Sequence, residues 1–203
     1  MCGVVGYSSN NPIEEHYEIL QGLLRESKIR GLHSFGYTYY DKELVTRKYH
    51  NLEELTIPKS NKIIFHNRYS TSGDYIEHRN NQPITKQYAA LVFNGVLDMR
   101  TKAEMEEHYN IQMETDNDGE IVLLKCGKDI KLLREFVTST KGSFAGLMLT
   151  EDNKMYAVRN TNRPLWRLEY KEAHFYASTE DIFKRTNKDF KPKQLFTNVV
   201  YES

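Results

Sequence analysis

The chain begins with MCGVVGYSS, residues 1–9, a short apolar stretch that predicts a buried β-strand. One of the only two cysteines, Cys2, stands directly after Met1. An initiator methionine is usually removed when the next residue is small, and Cys2 would then carry both a thiol and the free α-amine. A thiol beside an amine can act as a nucleophile with its own base. The position is therefore a candidate catalytic site, although a lone cysteine at position 2 is more often incidental.

The composition is that of one ordinary globular domain. The 203 residues are 39% hydrophobic and 28% charged, and 28 basic residues balance 28 acidic ones. A zero net charge gives no indication of binding to nucleic acid or to an anionic membrane. No signal peptide is apparent, and no apolar stretch approaches the roughly 18 residues of a membrane-spanning helix. We therefore expect a single cytoplasmic domain over residues 1–203, with neither nucleic acid nor membrane as a partner.

The cysteines and histidines favour neither a disulfide nor a metal site. Cys2 and Cys126 lie far apart in a chain without a leader, which predicts two free thiols. Cys126 falls in the apolar stretch EIVLLKCG, so a buried and inert thiol is expected there. The seven histidines are scattered and form no cluster with metal-ligand spacing. We expect neither a metal nor a cofactor.

Hydrophobic periodicity and turn residues predict the secondary structure. Helices are predicted over residues 11–27, 99–109 and 119–140. Strands are predicted over residues 2–7, 34–41, 42–49, 62–70, 88–95, 173–179 and 193–201, with a strand pair inside residues 142–160. Turns are expected near Asp41 and Lys42 and over residues 151–153, and Asn94 with Gly95 is expected to stop a strand. Because strands come in runs with helices grouped between them, the pattern favours an α+β fold with antiparallel sheets.

Four further stretches place polar groups where a strand ends or a helix begins. They are RGLHSFG (30–36), FHNRYSTSG (65–73), LVFNGVL (91–97) and DNDGEIVLL (116–124). Each has a simple structural explanation when it is taken alone. Arg68 could form a surface ion pair, Asn94 and Gly95 could form a hairpin turn, and Asp118 could cap a helix. Short motifs of this kind recur by chance, so none of them is specific alone.

Taken together and in this order, the segments resemble the class II glutamine amidotransferase domain of the N-terminal-nucleophile hydrolases. The resemblance extends from Cys2 to about Thr179, nearly the whole chain. It implies a four-layer αββα sandwich with two antiparallel sheets. The matching segments are MCGVVGY (1–7), RGLHSFG (30–36), HNRYSTSG (66–73), NNQP (80–83), ALVFNG (90–95), DGEIVLL (118–124) and GSFAGLMLTEDNKMYAVRNTNRPLW (142–166).

The resemblance implies three catalytic residues. Cys2 would be the nucleophile, with its own α-amine as the base. The reference pKa of an α-amine is roughly 7.7 to 8.0 and that of a thiol about 8.5, so the amine can accept the thiol proton near neutral pH. The Asn94 side-chain amide and the Gly95 backbone N–H would form the oxyanion hole. Gly95 would also allow the backbone to approach the substrate closely.

The resemblance also implies how glutamine is held. Arg68 would bind the α-carboxylate, which suits the fork of a guanidinium. Thr71 lies in the matching substrate-binding segment, and Asp118 would bind the α-ammonium. Asp116 competes for the last role, but Asp118 fits the family spacing of Asp-x-Glu before an apolar helix better.

Two positions depart from the family pattern. His33 stands where the family often has Asp, and Ser72 stands where some members have His or another residue. Neither residue is the expected nucleophile, carboxylate clamp or oxyanion donor. The departures therefore bear on the geometry of the loops and on the acceptor that is used, and leave the core chemistry unchanged.

These residues predict a glutaminase that supplies ammonia. Since 203 residues leave no room for an acceptor domain beside this one, we expect a separate synthetase-like subunit to receive the ammonia. Two alternatives stay open. One is a hydrolase of larger γ-glutamyl amides, which the same residues would serve. The other is a glutamine-binding regulatory subunit without turnover, against which the intact catalytic positions argue.

Overall fold

The computed structural model describes residues 2–51, 55–69, 75–160 and 163–203. Within these ranges, the 3-10 helices Ser27–Arg30 and His78–Asn80 join regular elements. The helices are α1 (Glu14–Glu26), α2 (Lys102–Tyr109), α3 (Glu120–Cys126), α4 (Ile130–Ser139) and α5 (Glu180–Thr186). The strands are β1 (Gly3–Ser9), β2 (Ser34–Asp41), β3 (Glu43–Tyr49), β4 (Lys62–Arg68), β5 (Ile84–Lys86), β6 (Ala89–Val96), β7 (Ser143–Thr150), β8 (Met155–Arg159), β9 (Trp166–Tyr170), β10 (Ala173–Ala177), β11 (Lys193–Gln194) and β12 (Val200–Glu202).

The strands form two antiparallel sheets. The first has the order β11-β9-β10-β1-β4-β2-β3, and the second has the order β12-β8-β7-β6-β5. The N-terminal strand β1 lies in the middle of the first sheet, between β10 and β4. Strand β6 lies between β5 and β7 in the second sheet. The predicted class, α+β with antiparallel sheets, is confirmed.

The sheets pack face to face and helices cover their outer faces. Apolar side chains such as Val4 of β1 and Leu147 of β7 fill the space between the sheets. Helices α1 and α5 pack on the outer face of the first sheet, where Leu20 and Phe183 are fully buried. Helices α3 and α4 cover the second sheet in the same way. These four layers are the αββα sandwich that the resemblance implies.

The helix predicted over residues 119–140 is in fact two helices. Gly127 has φ +56°, in the left-handed region that favours glycine, and it ends α3. The side chain of Asp129 then accepts a hydrogen bond from the N–H of Lys131 at 2.7 Å and caps α4. The prediction of one continuous helix is wrong because this break and cap were not recognised.

Other differences concern short elements and element ends. The strand predicted over residues 193–201 is two short strands, β11 and β12, which belong to different sheets. Strands β5 and β9 and helix α5 were not predicted, and α1 begins at Glu14 rather than near residue 11. The two predicted hairpin turns are confirmed, with Lys42 and Asn153 at positive φ. None of the helices in the described parts of the chain is long and apolar enough to cross a lipid bilayer.

Candidate active site

Cys2 lies where the first sheet meets the second. It precedes β1, and its backbone N–H donates a hydrogen bond to Oδ1 of Asn94 on β6, with an N–O distance of 3.3 Å. Its thiol lies 3.8 Å from the carbonyl oxygen of Tyr69, the residue after β4. The side chain of Cys2 is only partly buried. The predicted nucleophile is therefore held between the ends of β4 and β6, at a point that solvent can reach.

The surroundings of Cys2 act on its pKa in opposite directions. Burial raises the pKa of the thiol, while a backbone hydrogen bond to Tyr69 and the positive charges of Arg68 and Arg30 oppose that rise. Nε of Arg30 also donates to the Cys2 carbonyl at 3.5 Å. Because burial is the largest effect, the thiol needs a base to become a nucleophile.

Asn94 and Gly95 do not form a turn. Strand β6 continues through both residues to Val96, and they pair with Ala145 and Phe144 of β7. The expectation that they stop the strand is therefore wrong, because the β7 ladder extends over them. A Cβ atom on Gly95 would lie 1.9 Å from the carbonyl oxygen of Ser143, so this close approach of two strands requires glycine.

The two polar atoms of the Asn94 side-chain amide differ in their hydrogen bonding. The side chain is buried, and its oxygen accepts from the Cys2 N–H. Its nitrogen, Nδ2, has no hydrogen-bond partner among the residues that the structure describes. A buried donor without a partner typically costs about 1–3 kcal/mol. The structure therefore holds an unsatisfied N–H donor on the residue that contacts Cys2, as an oxyanion hole requires.

A cavity of about 410 Å³ is lined by Gly95, the neighbour of Asn94, while Cys2 and Asn94 themselves are not among its lining residues. Three of the predicted site residues, Arg68, Gly95 and Asp118, line it together. Its walls therefore carry both cationic and anionic side chains. The other lining residues are Asn80, Val96, Asp98, Met99, Arg100, Met105, Asp116 and Asn117.

Arg68 ends β4 with only 8% of its surface exposed, so the surface ion-pair explanation is wrong. Its Nη1 donates to the carbonyl oxygen of Asn80 at 3.2 Å and to Oδ1 of Asn81. These two hydrogen bonds hold the guanidinium in place. Arg68 is thus a fixed cation in the cavity wall, which suits a carboxylate ligand.

Asp118 is held by backbone groups rather than acting as a cap. Its Oδ2 accepts from the N–H groups of Leu97 at 2.6 Å and Asp98 at 3.1 Å. Gly119, not Asp118, is the N-cap of α3, and no side chain caps that helix. Burial raises the pKa of the Asp118 carboxyl, and the N–H groups of Asp98 and Leu97 oppose this effect. Its competitor Asp116 instead accepts from Nδ2 of Asn80 at 3.2 Å.

Glu120 organises the loop that carries both aspartates. Its carboxylate is fully buried, forms an ion pair with Lys86 at 2.6 Å, and accepts from the N–H groups of Glu114 and Thr115. The sequence motif included Glu120, but no role was assigned to it. Glu120 therefore fixes the backbone at residues 114 and 115, and it is not itself a lining residue of the cavity.

Within the described parts of the chain, the other polar residues of the HNRYSTSG segment (66–73) add neither a metal site nor a second base. His66 is fully buried in β4, and burial lowers its pKa to about 3, so it is neutral and a very weak base near pH 7. Thr71 and Ser72 lie outside the described residues. Within residues 2–51, 55–69, 75–160 and 163–203, no group of three or more His, Cys, Asp or Glu side chains is arranged to hold a metal ion.

Comparison with known proteins identifies related sequences and folds. A family model described as "Glutamine amidotransferase domain" matches residues 66–185. A curated glutamine–fructose-6-phosphate aminotransferase (isomerizing) from Rhizobium meliloti (strain 1021) is 28% identical over 200 residues, which cover 90% of this chain and 32% of that protein. The chain thus spans about a third of the length of the curated relatives it matches.

Solved structures share the fold. The glutamine phosphoribosylpyrophosphate amidotransferase from B. subtilis, complexed with ADP and GMP, has a TM-score of 0.74 at 20% identity, over 100% of this chain and 49% of that chain. A predicted glutamine amidotransferase from Pseudomonas aeruginosa PA01 has a TM-score of 0.54 at 12% identity, over 99% of this chain and 96% of that chain. At these identities, the similarity shows the fold alone.

The two thiols should differ strongly in reactivity. Cys126 is buried in α3, and burial raises its pKa to about 12. Cys2 is more accessible and lies near two guanidinium groups. We therefore expect iodoacetamide at pH 8 to alkylate Cys2 at least tenfold faster than Cys126, since reactivity follows the accessible thiolate. Peptide mass spectrometry over a time course measures both rates, and equal rates would contradict the described environments.

Proposed function

The chain belongs to the family of glutamine amidotransferase domains of the N-terminal-nucleophile type, and on this basis we propose that it hydrolyses the side-chain amide of glutamine with Cys2 as the nucleophile. One observation carries the proposal beyond family membership. The Asn94 side chain contacts the Cys2 nitrogen through its oxygen, and its buried nitrogen has no acceptor within the described parts of the chain. That arrangement supports Cys2 as the nucleophile and Asn94 as an oxyanion donor.

The proposed reaction begins with removal of Met1. The free α-amine of Cys2 accepts the thiol proton, and the thiolate attacks the amide carbon of glutamine. The carbonyl oxygen becomes an oxyanion, which Asn94 Nδ2 and the Gly95 N–H stabilise by about 3–4 kcal/mol each. The ammonium of Cys2 then returns its proton to the amide nitrogen, which leaves as ammonia. Water hydrolyses the resulting γ-glutamyl thioester and releases glutamate.

The cavity suits the two charged groups at the other end of glutamine. Arg68 would bind the α-carboxylate, and Asp118 would bind the α-ammonium. Support for Asp118 over Asp116 comes from its burial and from the N–H groups that fix its carboxylate. Thr71 keeps its proposed role in substrate binding on the resemblance alone, because it lies outside the described residues.

A second candidate is a hydrolase of larger γ-glutamyl amides. A groove of about 1110 Å³ adjoins the glutamine-sized cavity and shares Val96, Asp98, Met99 and Arg100 with it. Such a groove could receive the amine portion of a larger substrate. Glutamine turnover that exceeds the turnover of every larger γ-glutamyl amide tested would favour the first proposal over this one. Binding of glutamine without release of glutamate would favour the regulatory alternative instead.

An ammonia-accepting subunit is proposed to dock over the cavity. Met99, which lines the cavity, is 92% exposed, and the apolar side chains of Leu32 and Ile76 are each 65% exposed. Exposed apolar patches mark interaction surfaces. Direct docking would also pass ammonia to an acceptor before bulk water protonates it.

We propose the cytoplasm as the location, because both cysteines are free thiols.

The nucleophile proposal is tested by processing and by substitution. We expect the intact mass of active protein to correspond to a chain that begins at Cys2. Cys2→Ser should lower glutamate release by at least a hundredfold, because a serine hydroxyl is a much poorer nucleophile than a thiolate. Cys126→Ser serves as the matched control and should retain activity. Full activity in protein that keeps Met1 would overturn the role of the α-amine.

Steady-state kinetics should separate catalysis from substrate binding. Asn94→Ala removes a donor that acts on the developing oxyanion, so kcat should fall by about 100-fold or more with a small change in KM. Asp118→Asn should raise KM for glutamine by about tenfold or more and change kcat less, because its charge acts in ground and transition states alike. Asp116→Asn should have the milder effect. A larger KM increase for Asp116→Asn than for Asp118→Asn would reverse their assignment.

The docking proposal predicts a local effect on complex formation. Met99→Asp, at the cavity rim, should weaken co-purification of an acceptor subunit and abolish any rise in glutaminase activity that the subunit and its substrate cause. Phe196→Asp is the matched control, because Phe196 is 77% exposed in a separate cavity beside Arg167 and Tyr201. Full activity of the isolated chain, unchanged by any co-purifying protein, would contradict the proposal.

A further inference from the structure

Asn80 contacts both Arg68 and Asp116 in the lining of the cavity that is proposed to bind glutamine. It is 97% buried, in a 3-10 helix that leads into the NNQP turn, and it lines the cavity together with Arg68, Asp116 and Asp118. The sequence pattern includes this residue only as part of a turn, without a function. Its position between a cation and two anions raises the question of what it holds in place.

The backbone carbonyl of Asn80 accepts two side-chain donors. Nη1 of Arg68 donates to it at 3.2 Å, and Nδ2 of Asn117 donates to it at 3.1 Å. One donor comes from the end of β4, and the other comes from the loop before α3. A single carbonyl oxygen therefore links Arg68, the proposed carboxylate clamp, to residues 116–118, the acidic loop.

The side chain of Asn80 forms a reciprocal pair with Asp116. Its Nδ2 donates to Oδ2 of Asp116 at 3.2 Å, and its Oδ1 accepts from the Asp116 N–H at 3.0 Å. This pair fixes both the backbone and the carboxylate of Asp116. Asp118 follows two residues later and faces the same cavity. The position of the acidic loop relative to Arg68 thus depends on Asn80.

We infer that Asn80 is a positioning residue that sets the spacing between Arg68 and the acidic loop, and thereby selects substrates with an α-ammonium beside an α-carboxylate. The inference rests on the proposed function, which assigns the α-carboxylate of the substrate to Arg68 and its α-ammonium to Asp118. Loss of the Asn80 side chain should loosen the acidic wall and leave the Arg68 contact, which uses the backbone carbonyl. Recognition of the ammonium should therefore suffer more than recognition of the carboxylate.

The test measures binding in a chain that cannot turn over. In a Cys2→Ala background, calorimetry would compare glutamine with 5-amino-5-oxopentanoate, which keeps the amide and the carboxylate but lacks the ammonium. Asn80→Ala should weaken glutamine binding by about tenfold, as expected for two lost hydrogen bonds, and weaken binding of the analogue by less than threefold. Thr150→Val is the control, because Thr150 is a buried hydroxyl at the far end of β7 and should change neither affinity.

A second variant guards against loss of folding. Asn80→Asp keeps the size of the side chain but places two carboxylates where the structure has a donor and an acceptor 3.2 Å apart. Two carboxylates so close share a proton as the pH falls. The glutamine affinity of this variant, relative to the parent chain, should therefore recover between pH 7 and pH 5.

Three results would overturn the inference: unchanged glutamine binding in Asn80→Ala, an equal loss for glutamine and the analogue, or no recovery of Asn80→Asp at low pH. A failure of the proposed function looks different. In that case the chain with Cys2 intact would bind glutamine and release no glutamate, while the binding comparison would still decide the role of Asn80. A parent chain that binds no glutamine would refute both.

Discussion

The candidate site depends on one hydrogen bond that crosses from the first sheet to the second, between the Cys2 N–H and the Asn94 side chain. Cys2 directly precedes β1, the central strand of one sheet, and Asn94 lies near the end of β6 in the other. The bond forms only if the two sheets pack with the correct offset. The apolar side chains between the sheets, such as Val4 and Leu147, therefore position the site as well as stabilise the fold. Close packing makes that offset specific, because interiors tolerate few voids or overlaps.

Local patterns in the sequence predicted most of the helices and strands. Alternation and turn residues located the β2–β3 and β7–β8 hairpins, because both strands of each pair are adjacent in sequence and the turn conformation is local. Strands β5, β11 and β12 have only two or three residues, too few to show a period. Their positions follow from pairing with strands elsewhere in the chain. The break between α3 and α4 did have a local signal, glycine followed by a capping aspartate, which the apolar periodicity on both sides obscured.

The candidate site was predictable where residue type and order alone identify a role. Arg68, Gly95 and Asp118 were expected from their segments, and the structure brings them to one cavity. The groups that hold them were not expected. Asn80 and Asp116 are 36 residues apart, and Lys86 contacts Glu120 across a similar separation. Nothing in either segment alone specifies the other. Such contacts follow from tertiary structure, so a single sequence can name the residues that would contact the substrate more easily than the residues that support them.

At position 33 this chain has histidine where the family often has aspartate, and the fold accommodates the difference by aromatic packing. The imidazole lies between the rings of Tyr69 and Tyr75, with centroid distances of 5.2 and 5.0 Å and stacked planes. Each tyrosine also contacts a site group through its backbone, since the Tyr69 carbonyl accepts from the Cys2 thiol and the Tyr75 carbonyl accepts from Asn81. An aspartate at this position could not make the two ring contacts. The substitution is therefore accommodated by aromatic packing at the rim, while the groups proposed to bind and cleave glutamine keep their own hydrogen-bond partners.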